Sequence, residues 1–142
     1  MDKYDFLKLN NQLCFRLYAT SREVIKLYKP LLDKYNLTYT QYVTMLVLWE
    51  EEKATVKDIG IKLHLDSGTL TPLLKKLENM GLIIRYRDKN DDRVVIAELT
   101  QKGVELKEEI IEVPNKMMCK IDIPKEQGEE LAKNLDDLLK VL

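Results

Sequence analysis

The chain has 142 residues, 45% of them apolar, a formal net charge of −1 and two cysteines. That length suits one compact domain with its own core, and the longest uninterrupted apolar run, Met45 to Trp49, is too short to span a bilayer. The start, Met1-Asp2-Lys3-Tyr4-Asp5, leads into no apolar signal segment, so a cytoplasmic location without a membrane partner is expected.

A reducing compartment leaves both thiols free by default, and one histidine with two distant cysteines offers no metal-ligand spacing; neither a metal nor a cofactor is expected. Charge is unevenly spread. From Lys53 to Arg93 nine Lys and Arg face six Asp and Glu, a net of +3, which leaves −4 on the remainder. The middle of the chain therefore suits a phosphate backbone better than its total charge suggests.

In chain order, Leu9, Leu13, Leu17, Val24, Leu27 and Leu31 recur at helical spacings and predict one long amphipathic helix from Leu7 to Leu32, loosened in its last turns by Pro30. Thr38 and Gln41 have capping-box spacing before a second helix that starts near Tyr39. Thr55 and Asp58 repeat that signal ahead of a short helix, Val56 to Leu63. After His64-Leu65, Asp66 or Ser67 caps another helix that runs to Met80 and stops at Gly81.

Two helices joined by so short a turn predict a helix-turn-helix. Leu82 to Arg87 and Arg93 to Leu99 read as strands around the polar turn Asp88 to Asp92, a hairpin placed as a wing. Thr100 caps a helix reaching toward Cys119 with a break near Pro114. Pro124 suits the first turn of a last helix carrying Leu131, Leu135, Leu138, Leu139 and Leu142. The fold class is mainly α with a small β-hairpin wing: one domain over 1–142, with residues 53–100 as a winged helix-turn-helix between dimerisation helices at 1–35 and 101–142. The flanking helices carry more apolar surface than a small winged domain can cover, which predicts a homodimer. Two recognition helices about one helical turn apart would suit palindromic double-stranded DNA.

Several side chains have the chemistry to meet that DNA. Ser67, Thr69 and Thr71 stand at the N-terminal end of the predicted recognition helix, where short hydroxyls reach base edges or phosphates. Lys75 and Lys76 follow as phosphate contacts. The same residues also suit plain capping and a solvated face. Arg85 and Arg87 lie on the first wing strand and Arg93 opens the second, where Asp91 can hold its guanidinium extended toward a minor groove. Exposed charges that blunt an edge hairpin are the plainer alternative.

Cys14 lies beside the apolar stripe of the first helix, one turn before Tyr18, so the two share a face. A buried structural thiol is its plainest explanation; a sensor thiol needs partners for its thiolate. Five of the seven tyrosines, Tyr18, Tyr28, Tyr35, Tyr39 and Tyr42, fall in the first two helical segments, as thiolate donors or as half-buried amphipathic side chains. Cys119 sits near a predicted helix end, where a second thiol can swing to trap a sulfenic acid.

The segment Gln12-Leu13-Cys14-Phe15-Arg16-Leu17-Tyr18, the stretch Leu37 to Tyr42 with Trp49, the run Leu65 to Lys76 and the wing Asp91-Asp92-Arg93 together resemble the organic hydroperoxide resistance regulators of the MarR winged-helix family, almost over the full length. The resemblance implies a homodimeric repressor that binds a palindromic operator when reduced and releases it when an organic hydroperoxide oxidises Cys14. Tyr28 and Tyr39 match positions from which that family reaches the reactive cysteine across the subunit boundary. Cys119 matches the resolving cysteine of two-cysteine members, implying a disulfide between Cys14 of one chain and Cys119 of the other.

Many relatives have proline after the second tyrosine; here Thr40 stands there and leaves Tyr39 in place. Two other functions compete. A thiol peroxidase would need an acid-base group near Cys14, and the only histidine, His64, lies in the helix-turn-helix. A MarR-like regulator answering to an aromatic ligand, with both cysteines passive, needs only a pocket such as the tyrosines provide.

Overall fold

The computed structural model describes residues 2–142. The chain opens with two short 3-10 turns, Lys3–Leu7 and Leu9–Asn11, and the first α-helix, α1, runs from Leu13 to Asp33. The helix expected from Leu7 thus begins six residues later. Side-chain amides account for this: Asn11 donates to the Asp5 carbonyl at 2.7 Å, and Gln12 donates to the carbonyls of Phe6 at 2.6 Å and Lys8 at 2.9 Å. Such bonds satisfy backbone groups locally and compete with helical ones. At the other end α1 continues through Pro30 to Asp33.

The second helix, α2 (Tyr39–Glu51), carries both halves of the predicted capping box between Thr38 and Gln41, and Thr40 fits inside its first turn. A strand not expected from sequence follows, β1 (Lys53–Thr55). It lies beside β3 (Val95–Leu99), which also pairs with β2 (Ile83–Arg87), giving an antiparallel sheet in the order β1-β3-β2. Thr55 closes β1 and at once caps α3 (Val56–Leu63), accepting from the Asp58 amide at 3.0 Å. Of the two caps considered for the next helix, α4 (Ser67–Asn79), Asp66 performs the task, accepting from the Thr69 amide at 2.7 Å. These bonds hold the Asp66 carboxyl below its ordinary range. Gly81 follows at φ +77°, a left-handed conformation that ends α4 and that a Cβ would strain.

Beyond the wing, α5 (Gln101–Ile110) gives way to α6 (Glu112–Lys120). The break expected near Pro114 falls at Ile111. Pro114 occupies the first turn of α6, where its missing amide costs nothing, and its ring excludes the helical carbonyl one turn earlier, so the disruption appears upstream. The last helix, α7 (Lys125–Lys140), starts directly after Pro124.

The core joins these elements around the helix-turn-helix. Tyr42, Met45 and Leu48 of α2, Ile59 of α3, Leu70, Leu74 and Leu77 of α4, Ile83 and Ala97 of the sheet, and Ile110 and Val113 are buried together. Trp49 pins α2 to α5 by donating its indole N–H to the Gly103 carbonyl at 2.8 Å. A side chain at Gly103 would collide with the Leu82 backbone, so the close approach of α5 to the wing requires glycine. By contrast α7 buries no residue and α1 buries only Leu32. No helix among the described residues is long and apolar enough to cross a membrane.

Candidate DNA interface and thiol sites

Helix α4 divides cleanly into two faces. Leu70, Leu73, Leu74 and Leu77 are buried, while Ser67, Thr69, Thr71, Lys75 and Lys76 are exposed. Packing of the leucines thus fixes which side chains point away from the protein. Ser67 and Thr71 line an open groove of about 910 Å³ between the helix-turn-helix and the wing, whose other walls include Lys57, His64, Arg85 and Arg93. Lys76 faces the opposite side, toward Asn79 and Lys102.

The wing arginines occupy three different settings. Arg93 is the freest, with 90% of its side chain exposed, yet its Nε and Nη2 lie 3.1 and 3.2 Å from the two Asp91 carboxylate oxygens, and its amide donates to the same carboxylate at 3.1 Å. This fork holds the guanidinium outward, and it holds the Asp91 carboxyl below its ordinary range. Arg87 donates to the Asp92 carbonyl at 2.7 Å, bracing the turn. Arg85 is turned back to α4: its Nη2 donates to Glu78 Oε1 at 3.2 Å and its amide to Glu78 Oε2 at 3.1 Å, while its buried Nε has no partner. Glu78, held low by these bonds, has no counterpart in the sequence reading. It stands seven residues from Arg85 across the Gly81 turn, on a helix while Arg85 is on a strand, so no single period connects the two.

Cys14 is exposed at the second position of α1, where backbone amides lack helical acceptors. Arg16 braces this end by donating to the carbonyls of Gln12 at 3.1 Å and Asn10 at 2.5 Å. Tyr18, one turn along, is 58% exposed, and its hydroxyl accepts from Arg22 at 3.2 Å. Tyr28 and Tyr39 are elsewhere. Their rings are in contact, with centroids 4.9 Å apart, and Tyr42 lies against both at 5.8 and 6.4 Å. Burial followed by mutual repulsion raises the hydroxyl pKa of Tyr28 and Tyr42.

Fourteen residues of helix separate Cys14 from Tyr28, about 21 Å at the α-helical rise. Of the three tyrosines expected at the thiolate, one chain therefore brings only Tyr18, one turn along α1, near Cys14. Cys119, also exposed and free, lies at the end of α6, which packs against α1. Glu112 at the start of α6 accepts from Lys34 and Tyr35, just past the end of α1 opposite Cys14. This polar junction also escaped the sequence reading, because its partners lie 77 and 78 residues apart.

Residues 26–110 match the family described as transcriptional regulator SarA/Rot. The chain is similar to the organic hydroperoxide resistance transcriptional regulator of Bacillus subtilis, 52% identical over 93% of this chain and 88% of that protein. Among solved structures it resembles reduced AbfR bound to DNA, 36% identical with a TM-score of 0.81 over 98% of this chain and 97% of the other. It also resembles disulfide-formed AbfR, 37% identical with a TM-score of 0.68 over 96% of each chain. These likenesses span the helix-turn-helix, the wing and both flanking helical regions, and the relatives are regulators, not enzymes. The chain belongs to the SarA/Rot family of transcriptional regulators and, within the MarR-type winged-helix fold, to the organic hydroperoxide resistance group.

Proposed function

We propose that this regulator is a homodimeric repressor that binds a palindromic operator while Cys14 is reduced and leaves it when an organic hydroperoxide oxidises that thiol. The observation that carries the reading is an accessible cysteine at the amide-rich start of a helix whose apolar residues, Leu13 and Ile25 among them, stay uncovered in the single chain. A second subunit laid on that surface encloses the thiol, and it is the source of Tyr28 and Tyr39 as donors beside Tyr18. Residues 1–35 and 101–142 are the dimerisation part in this reading and 53–100 the DNA-binding part.

On the DNA side, Ser67, Thr69 and Thr71 enter the major groove, Lys75 holds phosphate, and Arg93 enters the minor groove from the wing tip, while Lys76, on the far side of α4, is left out of the contact set. Arg87 supports the tip. Arg85 contributes chiefly by fixing the angle between wing and recognition helix through Glu78.

In the chemical step the Cys14 thiolate attacks the terminal oxygen of the hydroperoxide. The O–O bond breaks, sulfur gives up two electrons to become the sulfenic acid, and the alkoxide leaves as an alcohol after taking a proton. Cys119 of the partner subunit then displaces hydroxide from the sulfenic sulfur. An S–S bond replaces the S–O bond, and the thiol proton departs with the hydroxide as water.

The test is a non-reducing gel run beside a DNA-shift assay on protein treated with cumene hydroperoxide. Wild type is expected to lose DNA binding as a dimer-sized band appears, whereas Cys14→Ser keeps DNA binding and ignores the oxidant. Release of Cys14→Ser from DNA by the same treatment would refute the reading.

A further inference from the structure

Helix α6 is held by two kinds of contact. Val113 and Met117 bury its apolar side, and Glu112 at its first position gathers three donors. The Tyr35 hydroxyl lies 2.5 Å away, Lys34 Nζ 3.1 Å and Lys116 Nζ 3.3 Å. The Tyr35 oxygen is also 3.1 Å from the Glu109 carbonyl, but its single proton goes to the charged acceptor, which forms the stronger bond. Charge and hydrogen bonding act in the same sense on both partners: the three donors hold Glu112 down to about 2, while burial and Glu112 push Tyr35 up to about 12.

Glu112, Lys116 and Cys119 follow one another at spacings of four and three, so they share one stripe of α6. The latch therefore sits two turns from Cys119, on Cys119's own side of the helix. Past it, Met118, Cys119 and Lys120 are exposed, and residues 121–124 lie outside any helix. The described fold agrees with DNA-bound AbfR, reduced or overoxidized, at TM-scores of 0.81 and 0.82, and less well with disulfide-formed AbfR at 0.68.

We infer that Tyr35 and Glu112 are positioning residues for the resolving step: their latch holds α6, and with it Cys119, in the reduced arrangement, and its release is part of the barrier to the disulfide. The inference rests on the resolving role given to Cys119 above. It separates two events that share one signal. Oxidation of Cys14 does not involve the latch, whereas closure of the disulfide does, so the latch sets how long the sulfenic acid persists.

The experiment uses full-length reduced wild type, Tyr35→Phe, Glu112→Gln and the double variant, each mixed with cumene hydroperoxide and quenched over time. Dimedone adducts in a Cys119→Ser background report sulfenic acid, and non-reducing gels of the parent proteins report the intersubunit disulfide. Sulfenic acid formation is expected to stay within about twofold of wild type, while the disulfide forms roughly three- to tenfold faster, the change expected from losing one hydrogen bond of ordinary net strength at a partly exposed site. The double variant should be no faster than the faster single one, because both changes break the same bond. Disulfide formation at or below the wild-type rate in both single variants would overturn the inference and leave the Cys119 reading standing. Absence of any Cys119-dependent disulfide in wild type would overturn both.

Discussion

The DNA-reading half of the molecule and its flanking helices solve the same problem in opposite ways. From α2 to β3 the chain closes a core of its own: Met45, Leu48, Ile59, Leu70, Leu74, Leu77 and Ala97 are completely buried, although Leu46, Ile61, Ile84 and Tyr86 stay exposed. The flanks present theirs. Phe6, Leu7, Leu13, Leu131, Leu135 and Leu139 are 37–78% exposed, a surface of the kind that marks an interaction site. One half is a finished object, and the other is half of one. Cys14 belongs to the unfinished half, so the proposed function would tie sensing and assembly together there, while the reading head needs only to be carried.

That contrast can be broken experimentally. Leu131→Glu with Leu135→Glu on α7 touches no buried residue, so the monomer is expected to stay folded while the dimer is lost. DNA affinity should then fall by about a hundredfold or more, the avidity of the second half-site; sedimentation and DNA-shift assays on one preparation check both. A double variant that remains dimeric would mean that α7 is not the covered surface. Leu74→Ala strikes the other half and should cost about 2–5 kcal/mol of stability, read by chemical denaturation, with dimerisation unaffected at temperatures where the protein is folded.

The smallest effect lies at the junction between the halves. Glu112 is held at about 2 against an ordinary 4.5, so its contribution is present above about pH 4.5 and is lost as pH falls toward 2. Tyr35 is held at about 12 against 10.0, so its contribution is intact below pH 10 and is lost as pH rises through 12. Glu112→Gln should therefore be less stable than wild type at pH 7 and converge with it in strong acid. A stability gap that is constant from pH 7 to pH 2.5 would remove the latch from the stability of the fold.

The sequence was most readable where structure is decided within four residues. Thr38, Thr55, Asp66 and Thr100 each cap the helix that follows, as their spacing predicts, and Gly81 takes the left-handed turn that only its missing side chain makes easy. The winged helix-turn-helix followed from local signals of this kind, and its MarR type from the family resemblance of the longer motifs. What escaped was built from distant pairs. β1 is three residues long and exists because it pairs with β3, Ala54 opposite Ala97; nothing in Lys53-Ala54-Thr55 announces a strand. The Arg85–Glu78 and Tyr35–Glu112 pairs likewise depend on packing that no local period encodes. At the N-terminus the error ran the other way: Leu9 and Leu13 keep a helical rhythm, but the amides of Asn11 and Gln12 settle the backbone differently. The site residues divide along the same line, since Ser67, Thr71 and Arg93 meet around one groove in a single chain whereas Cys14 does not meet the Tyr28–Tyr39 pair, whose rings touch each other.

The bond between Arg85 and Glu78 has a consequence for how the operator is measured. With wing and recognition helix clamped to each other, the reading head behaves as the rigid jaw of a caliper, and the adjustable quantity is the gap between two such jaws. One extra base pair at the centre of a palindrome turns its outer half by about 34° and moves it by about 3.4 Å. A protein built in this way should tolerate a changed base better than a changed spacing, and under the proposed function a lengthened operator should weaken binding of the reduced dimer as oxidation of Cys14 would on the correct one.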